Sequence, residues 1–353
     1  IISTTGIAGL ALGGGIGVVG RRYGLTCDRM TGAEVVLASG EIVRVDADRD
    51  PDLFWALRGG GGGNFGVVTS FTFATHRATP LSLFTYRWPW HAAADVVAAW
   101  QTWNTGPDAP HELWSTCVLT SAPADGVGGS PALRMTGVHT GDEPALQALL
   151  DALVDAVGTR PSSTFVARRD HLRTMLIEAG CADQTPASCH LADRHPDGVL
   201  PRAAQLAASG FVTEPLSREA IEALVGVVEA RQRIPGLVSG GVILDSWGGA
   251  ISQVGPAETA FVHRQALASV QYVAGYEQDA PAETRTENER WLRETVARMS
   301  PFLAGSAYVN YIDPQLPDWE QAYYGANLDR LRRVKRDYDP DNLFRFAQSI
   351  RPA

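Results

Sequence analysis

Near its start the chain reads Gly6-Ile-Ala-Gly-Leu-Ala-Leu-Gly-Gly-Gly-Ile-Gly17, followed closely by Arg21-Arg-Tyr-Gly-Leu-Thr-Cys-Asp28. Six glycines in twelve residues predict a backbone that another group approaches closely. Glycine tolerates positive φ and leaves its amide N–H groups uncovered, so such a run can form a concave row of donors for a phosphate or a flat heterocycle. The alternative interpretation is a set of turns between buried strands.

Part of this stretch, Gly15-Ile-Gly-Val-Val-Gly20, has the glycine spacing of the dinucleotide fingerprint. That fingerprint needs a preceding strand, a following helix and an acidic residue about 20 positions further on. Residues 21–24 allow a helix of one turn at most, because Gly24 ends it. The next segment, Ala33–Val45, contains two β-branched runs joined by Ser39-Gly40 and predicts a β-hairpin. An NAD-type dehydrogenase is therefore kept only as an alternative.

The bulk composition is that of an ordinary globular protein. The 353 residues suffice for about two domains, each with its own core. A formal net charge of −9 without a basic stripe argues against a nucleic-acid-binding surface. Because no run of 18 apolar residues occurs, no membrane span is expected. The sequence indicates neither the compartment, cytoplasmic or secreted, nor the oligomeric state.

The four cysteines, Cys27, Cys117, Cys181 and Cys189, are too few and too scattered for a disulfide framework. Cys181, Cys189 and the histidines that follow fit no standard zinc spacing, so we predict no metal site. A single Cys181–Cys189 disulfide is the better interpretation if the protein is exported.

The middle of the chain alternates strands with amphipathic helices. Apolar residues at helical spacing predict helices over 92–103, 143–154 and 217–231, the last with Ser217 as N-cap. β-branched runs predict strands over 113–120, 131–138, 236–246 and 267–276. The fold class is therefore α+β, a sheet covered by helices on one face. A strand at 308–312 and a helix over 319–335, stopped by Asp339-Pro340, complete the chain.

Five stretches in the right order resemble the FAD-linked oxidases of the berberine bridge enzyme type, with their PCMH-type FAD-binding domain. They are Gly13–Gly17, Arg22–Asp28, Asp52–Thr69, Tyr308–Tyr311 and Asp339–Ile350. The resemblance implies a discontinuous FAD-binding domain, residues 1–78 and 301–353, around a substrate domain, residues 79–300, with a large antiparallel sheet. In the family an earlier subdomain carries the histidine bonded to the flavin, so we expect this chain to be a fragment.

The resemblance also implies positions for the FAD site. A second covalent link in some members uses a cysteine where this chain has Ile2, so no cysteinyl link is expected. Thr5 falls at the family's oxygen gate, and its volume predicts that O2 reaches the flavin. The positions implied to bind FAD are Thr5, Gly6, Ile7, Gly9, Gly13, Gly14, Gly15, Gly17, Tyr23, Gly24, Leu25, Asp28, Gly66, Val67, Val68, Tyr308, Asn310 and Gln348.

Tyr311 matches the family's catalytic tyrosine, and alternation along a strand would turn Tyr308 and Asn310 to the opposite face. Asp245 is the second predicted catalytic residue, as proton acceptor or substrate orienter. Trp247, Ser269 and Gln271 are predicted to contact substrate. Some members have a glutamate base at Ser269, so its absence favours alcohol oxidation over amine cyclisation. The aromatic residues considered for stacking on a ligand are Trp88, Trp90, Trp247, Tyr272 and Tyr276.

Together these features predict an FAD-dependent oxidase that transfers hydride from a hydroxyl of a sugar, oligosaccharide or secondary metabolite to flavin and then to O2, giving H2O2. The substrate is a small molecule of unknown identity. Two alternatives stay open: the NAD-type dehydrogenase, and a non-catalytic binding protein that keeps the fold.

Overall fold

The structure is a computed structural model that describes residues 5–106, 109–121, 130–200, 204–234 and 239–353. These residues form two compact units. One contains Ala78–Trp247 and Ala266–Ala304, and we call it the seven-stranded unit. The other contains Thr5–Arg77, Gly248–Gln265 and Gly305–Ala353, and we call it the three-stranded unit.

The secondary structure is numbered along the chain. The strands are β1 (Met30–Val36), β2 (Ile42–Val45), β3 (Val67–Phe73), β4 (Leu81–Trp88), β5 (Leu113–Ser121), β6 (Ala132–His139), β7 (Ser163–Arg169), β8 (Ala204–Val212), β9 (Ser239–Ser246) and β10 (Ala268–Tyr276). The helices are α1 (Ile7–Leu12), α2 (Gly20–Tyr23), α3 (Pro51–Ala56), α4 (Ala93–Thr105), α5 (Glu143–Val157), α6 (His171–Glu178), α7 (Arg218–Arg231), α8 (Ala282–Met299), α9 (Trp319–Tyr324) and α10 (Leu328–Tyr338).

The seven-stranded sheet has the order β7-β4-β6-β5-β9-β10-β8, and its neighbouring strands pair antiparallel. One face packs apolar side chains such as Met135, Leu244 and Val270 against helices α4, α5, α7 and α8. The Oγ of Ser217 accepts the Ala220 N–H at 3.2 Å, which confirms the predicted N-cap of α7. The predicted α+β class, a large antiparallel sheet covered by helices on one face, is confirmed.

Side chains alternate along each strand, so the residues between the core positions belong to the other face of this sheet. It is rich in hydroxyl and charged groups, and Thr85 Oγ1 donates to Thr136 Oγ1 at 3.2 Å across β4 and β6. We call it the polar face and define it by Thr85, Arg87, Thr116, Arg134, Thr136, Asp245, Ser269 and Gln271.

The three-stranded unit contains the predicted hairpin, with β1 and β2 paired antiparallel and β3 on the other side of β1. Its core joins residues from distant segments, among them Leu53, Trp55, Tyr324 and Leu331. The four-residue α2 and this hairpin leave no room for the strand–helix–strand unit that the dinucleotide fingerprint needs within the described residues. The fold therefore argues against the NAD-type alternative.

Two elements near the end of the chain differ from the prediction. Residues 308–312 form a turn, closed by the Tyr311 N–H donating to the Tyr308 carbonyl at 2.8 Å, so the predicted strand there is wrong. The predicted helix over 319–335 is divided into α9 and α10 because Gly325 has φ +46°. A residue with positive φ cannot continue an α-helix, and glycine adopts φ +46° with ψ −129° at little cost because it has no Cβ.

The predicted domain boundaries at 78/79 and 300/301 compare with unit boundaries at 77/78 and 304/305. The structure in addition assigns Gly248–Gln265 to the three-stranded unit. The sequence interpretation had placed that segment within the substrate domain. It supplies buried residues to the core of the three-stranded unit, among them Ala260.

Cys181 and Cys189 form a disulfide in the segment after α6, whereas Cys27 and Cys117 are buried thiols. Burial raises the pKa of both thiols, so they stay protonated. Among the described residues, none of the helices combines the length and apolarity required to cross a membrane. Nor do three or more His, Cys, Asp or Glu side chains of this part of the chain cluster as metal ligands.

Candidate functional site

The centre of the three-stranded unit is the Tyr308 hydroxyl, which ties the glycine-rich loop to the C-terminal segment. Its oxygen accepts the N–H groups of Gly15 at 2.8 Å and Ile16 at 3.3 Å. Asn310 Nδ2 donates to the same oxygen and to the Leu10 carbonyl, both at 3.0 Å. We call these five residues the Tyr308 cluster. Burial raises the pKa of Tyr308 to about 12, against the effect of these donors, so the phenol stays protonated at neutral pH.

The loop needs glycine because the chain's own groups approach it. A Cβ on Gly13 would lie 2.0 Å from Asn310 Oδ1, and one on Gly14, whose φ is +113°, would lie 2.9 Å from the Phe261 ring. The predicted close approach is therefore confirmed. The predicted row of uncovered donors is wrong for Gly13–Ile16. The amides of Gly13 and Gly14 donate to Gly9 and Ala11 carbonyls, and the next two donate to Tyr308.

The open surface of this region lies on α1, which the sequence interpretation had treated as loop. A Cβ on Gly6 or Gly9 would meet no atom of the described residues within 4 Å, and both glycines are exposed, as is Thr5. Ile7 between them is 56% exposed. The start of α1 therefore presents backbone without side chains at Gly6 and Gly9, next to the exposed side chain of Ile7. Such a surface suits a planar heterocycle, and the N–H groups of a first helical turn, which have no intrahelical acceptor, suit a phosphate.

A buried ion pair holds the loop from the other side. Arg264 Nη1 and Nη2 donate to the Asp28 carboxylate at 2.8 and 2.6 Å, and the Leu25 N–H donates to the same carboxylate at 2.8 Å. The Thr26 N–H in turn donates to the Gly15 carbonyl at 2.8 Å. The predicted positions Gly24, Leu25 and Asp28 are thus joined to the glycine loop. Arg264, 236 residues from Asp28, carries no local signature in the sequence.

Other predicted FAD positions lie elsewhere in the unit. Tyr23 stacks on His76 with ring centroids 3.9 Å apart. Gln348 Nε2 donates to the Asp313 carbonyl at 2.8 Å, below the turn that carries Tyr311. Gly17 precedes α2, and Gly66, Val67 and Val68 lie at the start of β3 beside β1. Ile2, at the position of the cysteinyl link, lies outside the described residues.

Tyr311 is half-buried and lies beside Tyr308, with ring centroids 5.0 Å apart and planes at 75°. The expectation that Tyr308 and Asn310 face away from Tyr311 is wrong, because alternation applies to a strand and this segment is a turn. The turn places the candidate base directly against the buried phenol that fixes the glycine loop.

Asp245 is the carboxylate on the polar face of the seven-stranded unit. It is 7% exposed and is the register partner of Ser269 on β10, whose Oγ donates to its Oδ2 at 3.4 Å. Burial raises the pKa of Asp245 to about 6, against the effect of the Ser269 hydrogen bond. Thr116 on β5 is its partner on the other side, and Gln271 lies half-buried two residues beyond Ser269 on β10.

The predicted aromatic contacts are mostly buried. Trp247 is fully buried, and its ring meets that of Phe211 edge-on at 5.0 Å. Trp88 and Tyr272 lie in the core under the helices, because strand alternation turns them away from the polar face. Trp90 Nε1 donates to Glu229 at 2.9 Å on the helical side. Stacking of Trp88 or Tyr272 on a ligand of the polar face is therefore wrong.

The comparisons with known proteins agree with this geometry. A family model described as FAD binding domain matches residues 1–46, and one described as Berberine and berberine like matches residues 307–351. An uncharacterized FAD-linked oxidoreductase, YgaK of Bacillus subtilis, is 34% identical over 99% of this chain and 71% of its own length. These matches cover both segments that form the Tyr308 cluster.

Two further relatives are an oxidase named for its substrate and a protein of solved structure. The xylooligosaccharide oxidase of Thermothelomyces thermophilus is 29% identical over 99% of this chain and 68% of its own. The solved structure of Physcomitrella patens BBE-like 1 superposes with a TM-score of 0.85 at 27% identity, covering 99% of this chain and 72% of that one. The chain therefore belongs to the berberine bridge enzyme-like family of FAD-linked oxidoreductases.

Proposed function

We propose that this protein is an FAD-dependent oxidase acting on a hydroxyl group of a sugar or oligosaccharide, with O2 as acceptor and H2O2 as product. The observation that carries the proposal is the pairing of Asp245 with Ser269 on the polar face. It provides one nearly buried carboxylate with a pKa of about 6. A proton acceptor of this strength suits the removal of a hydroxyl proton at neutral pH.

The residues of the three-stranded unit fit FAD as cofactor. The exposed start of α1, with Gly6, Ile7 and Gly9, suits a planar ring system. When bound, FAD accepts two electrons from the substrate and passes them to O2. We propose that Thr5 leaves room for O2 beside this surface. A histidyl link to the flavin is compatible with this assignment, and the presence of Ile2 argues against a cysteinyl link.

We assign Tyr311 as the base that takes the hydroxyl proton from the substrate. A phenol has an ordinary pKa near ~10, so it needs an acceptor to act at neutral pH. Asp245, on the polar face of the seven-stranded unit, is assigned separately, to orienting the substrate hydroxyl or accepting a proton there. Tyr308, whose pKa of about 12 keeps it protonated, is a positioning residue for the loop and for Tyr311.

The polar face supports a neutral, hydroxyl-rich substrate near Asp245. The row through Asp245 continues with Thr116, Thr136 and Thr85 across β5, β6 and β4. Hydroxyl side chains both donate and accept hydrogen bonds, as sugar hydroxyls do. Ser269 and Gln271 add further polar groups on β10. The xylooligosaccharide oxidase relative points to the same class of substrate.

The test begins with the visible absorption spectrum of the purified holoprotein, before and after acid precipitation. Flavin bands near roughly 370 and 450 nm are expected. Bands that stay with the pellet would mean covalent FAD, whereas bands in the supernatant would mean non-covalent FAD. Anaerobic mixing with a panel of neutral oligosaccharides should then bleach the longer-wavelength band, and air should restore it with release of H2O2.

Three outcomes would overturn parts of the proposal. A folded, colourless protein would contradict the assignment of FAD as the cofactor. Flavin that no hydroxyl substrate reduces would favour a binding protein with the same fold. Slow reoxidation by air would indicate a dehydrogenase. In that comparison Thr5→Leu should slow reoxidation, and an unchanged rate would remove Thr5 from the path of O2.

A further inference from the structure

Two arginines lie directly opposite each other on neighbouring strands of the seven-stranded sheet. Arg87 on β4 and Arg134 on β6 are partners in the antiparallel register. Their sequence neighbours Tyr86 and Met135 are core residues under the helices, so both arginines belong to the polar face. Like charges directly opposite each other on a sheet are destabilising. A functional role would explain why the chain carries this arginine pair.

The pair is only partly neutralised. Among the residues that the structure describes, neither Arg87 nor Arg134 has an Asp or Glu oxygen within 4.0 Å. Burial and Arg87 lower the pKa of Arg134, and the charge of Glu178, at the end of α6, raises it. Burial also raises the pKa of Glu178. With Glu178 ionised, these three groups carry a net charge of one positive unit.

The arginine pair lies on the same face as Asp245, at a distance that one disaccharide can bridge. From β9 the sheet continues through β5 to β6, and the row of Asp245 meets β6 at Thr136, two residues from Arg134. With strands ~4.8 Å apart and ~3.4 Å per residue, the Cα atoms of Asp245 and Arg134 are about 12 Å apart. The positions between them carry Thr116 and Val118, which are uncharged.

We propose that Arg87 and Arg134 bind a carboxylate of the substrate, so that the preferred substrates are acidic oligosaccharides whose oxidised sugar and charged sugar are neighbours. This inference rests on the proposed function, because it extends the same substrate face. A guanidinium binds a carboxylate through two parallel hydrogen bonds, and an anion placed between two arginines removes their mutual repulsion. A carboxylate, with one negative charge, matches the positive charge that remains when Glu178 is ionised, whereas a phosphate monoester carries nearly two negative charges.

The experiment compares cellobiose with cellobiouronic acid, which differ only in the C6 group of the non-reducing sugar. Steady-state oxidation by the holoenzyme gives kcat and KM for each. We expect the acidic disaccharide to have the lower KM, by about tenfold, as befits one charged hydrogen-bonded contact. Arg134→Gln should raise the KM for cellobiouronic acid about tenfold. The kcat for cellobiouronic acid, and both kcat and KM for cellobiose, should stay within about twofold of the wild-type values. Salt should raise only the KM of the acid.

The matched control is Arg298→Gln, which removes the same charge from an exposed position near the end of α8, on the helical side of the sheet. It should change neither KM. Arg134→Lys, which keeps the charge without the planar fork, should fall between the wild type and Arg134→Gln. Because the Gln variant relieves like-charge repulsion, its melting temperature should equal or exceed that of the wild type.

The inference is overturned if the wild type does not prefer the acid, or if Arg134→Gln raises both KM values alike. If the holoenzyme oxidises neither disaccharide, the proposed function fails for these sugars. Calorimetric titration with cellobiouronic acid then decides the inference separately. Binding by the wild type that is lost in Arg134→Gln supports the arginine pair, and equal or absent binding removes it.

Discussion

The Tyr308 cluster consists mainly of backbone groups around one side chain, whereas the polar face consists of side chains. In the cluster, backbone amides and glycines without side chains meet one buried phenol, and a single added methyl group would overlap with neighbouring atoms. On the polar face, side chains from neighbouring strands stand in register, so each position belongs to a separate strand residue. The first arrangement suits an invariant cofactor. The second lets the substrate change while the fold stays the same.

The largest expected effect comes from adding a methyl group where the backbone is closed. Gly59 has φ +120°, and a Cβ there would lie 2.3 Å from the Phe261 backbone nitrogen. Gly59→Ala should therefore cost at least ~3 kcal/mol of unfolding free energy, or abolish the folded holoenzyme, through backbone strain and overlap. Thermal and denaturant unfolding measure it. A variant within ~1 kcal/mol of the wild type would contradict the closed geometry.

Removal of the Tyr311 hydroxyl should have the next largest effect, on rate alone. Tyr311→Phe should slow anaerobic flavin reduction by about 10²–10⁴-fold, the usual contribution of a general base. The melting temperature should stay near that of the wild type, because the half-buried ring is kept. Tyr276→Phe, at the end of β10, is the control. A reduction rate within threefold of the wild type would exclude Tyr311 as the base.

The role of Asp245 should be visible in the pH dependence of kcat/KM. With a pKa of about 6, it is ionised at pH 7 and loses its capacity to accept a proton as the pH falls through 6. kcat/KM should fall on that acidic side, and Asp245→Asn should remove this limb. The free energy of unfolding has the opposite pH dependence and falls as Asp245 ionises. The folded pKa is above the ordinary 3.8, so ionisation between these values destabilises the fold.

The same variant therefore carries its own second readout. Asp245→Asn should gain on the order of 2–3 kcal/mol at pH 7.5 relative to the wild type and nothing near pH 3.5. Unfolding curves at both pH values test this. An equal change at the two would mean that the carboxylate is not strained by burial, and the assignment of Asp245 as proton acceptor would lose its basis.

Tyr308→Phe should sharpen the distinction between positioning and chemistry. The variant leaves the Gly15 and Ile16 amides and Asn310 without their shared acceptor, which should cost about 1–3 kcal/mol. Flavin retention should weaken, while the reduction rate of molecules that keep their flavin should fall far less than in Tyr311→Phe. Comparable rate losses in the two variants would assign Tyr308 to the chemistry instead.

The smallest effect is the counterpart of the first. Gly9 lies inside α1, and an added Cβ would meet no atom within 4 Å in the part of the chain that the structure describes. Gly9→Ala should stabilise the protein without cofactor by about 0.5–1 kcal/mol through helix propensity. If α1 lies against the flavin, the same variant should bind FAD less well. A gain in both stability and FAD affinity would move the cofactor away from α1.

The helices α4, α5 and α7 could be predicted because apolar residues recur at helical spacing over several turns. Strands β4, β7 and β8 were not predicted. β7 is an exposed edge strand with little alternation, and β8 is rich in alanine and glycine. Helix α8 is so rich in charged residues that its few core residues, such as Trp291, leave a weak pattern.

The residues of the candidate site likewise divide into those that the sequence could predict and those that it could not. The glycine loop, Tyr308 and Tyr311 are visible as local motifs. The alternating residues 308–312 nevertheless gave the wrong conformation, because the bonds of Tyr308 to a loop nearly 300 residues away override local preference. Phe261 and Arg264 have no local signature. The arginine pair can be recognised only when the register of β4 and β6 is known.

The return of Gly248–Gln265 to the three-stranded unit has a consequence for how the protein is made. Arg264 cannot meet Asp28 before some 236 residues have followed it from the ribosome, and Tyr308 reaches Gly15 later still. Such long-range contacts carry a high loop-closure entropy and fold slowly. The glycine loop therefore lacks its contacts to Arg264 and Tyr308 until those residues have been synthesised. If this loop contacts the cofactor as proposed, stable cofactor binding follows synthesis of the chain through Tyr308.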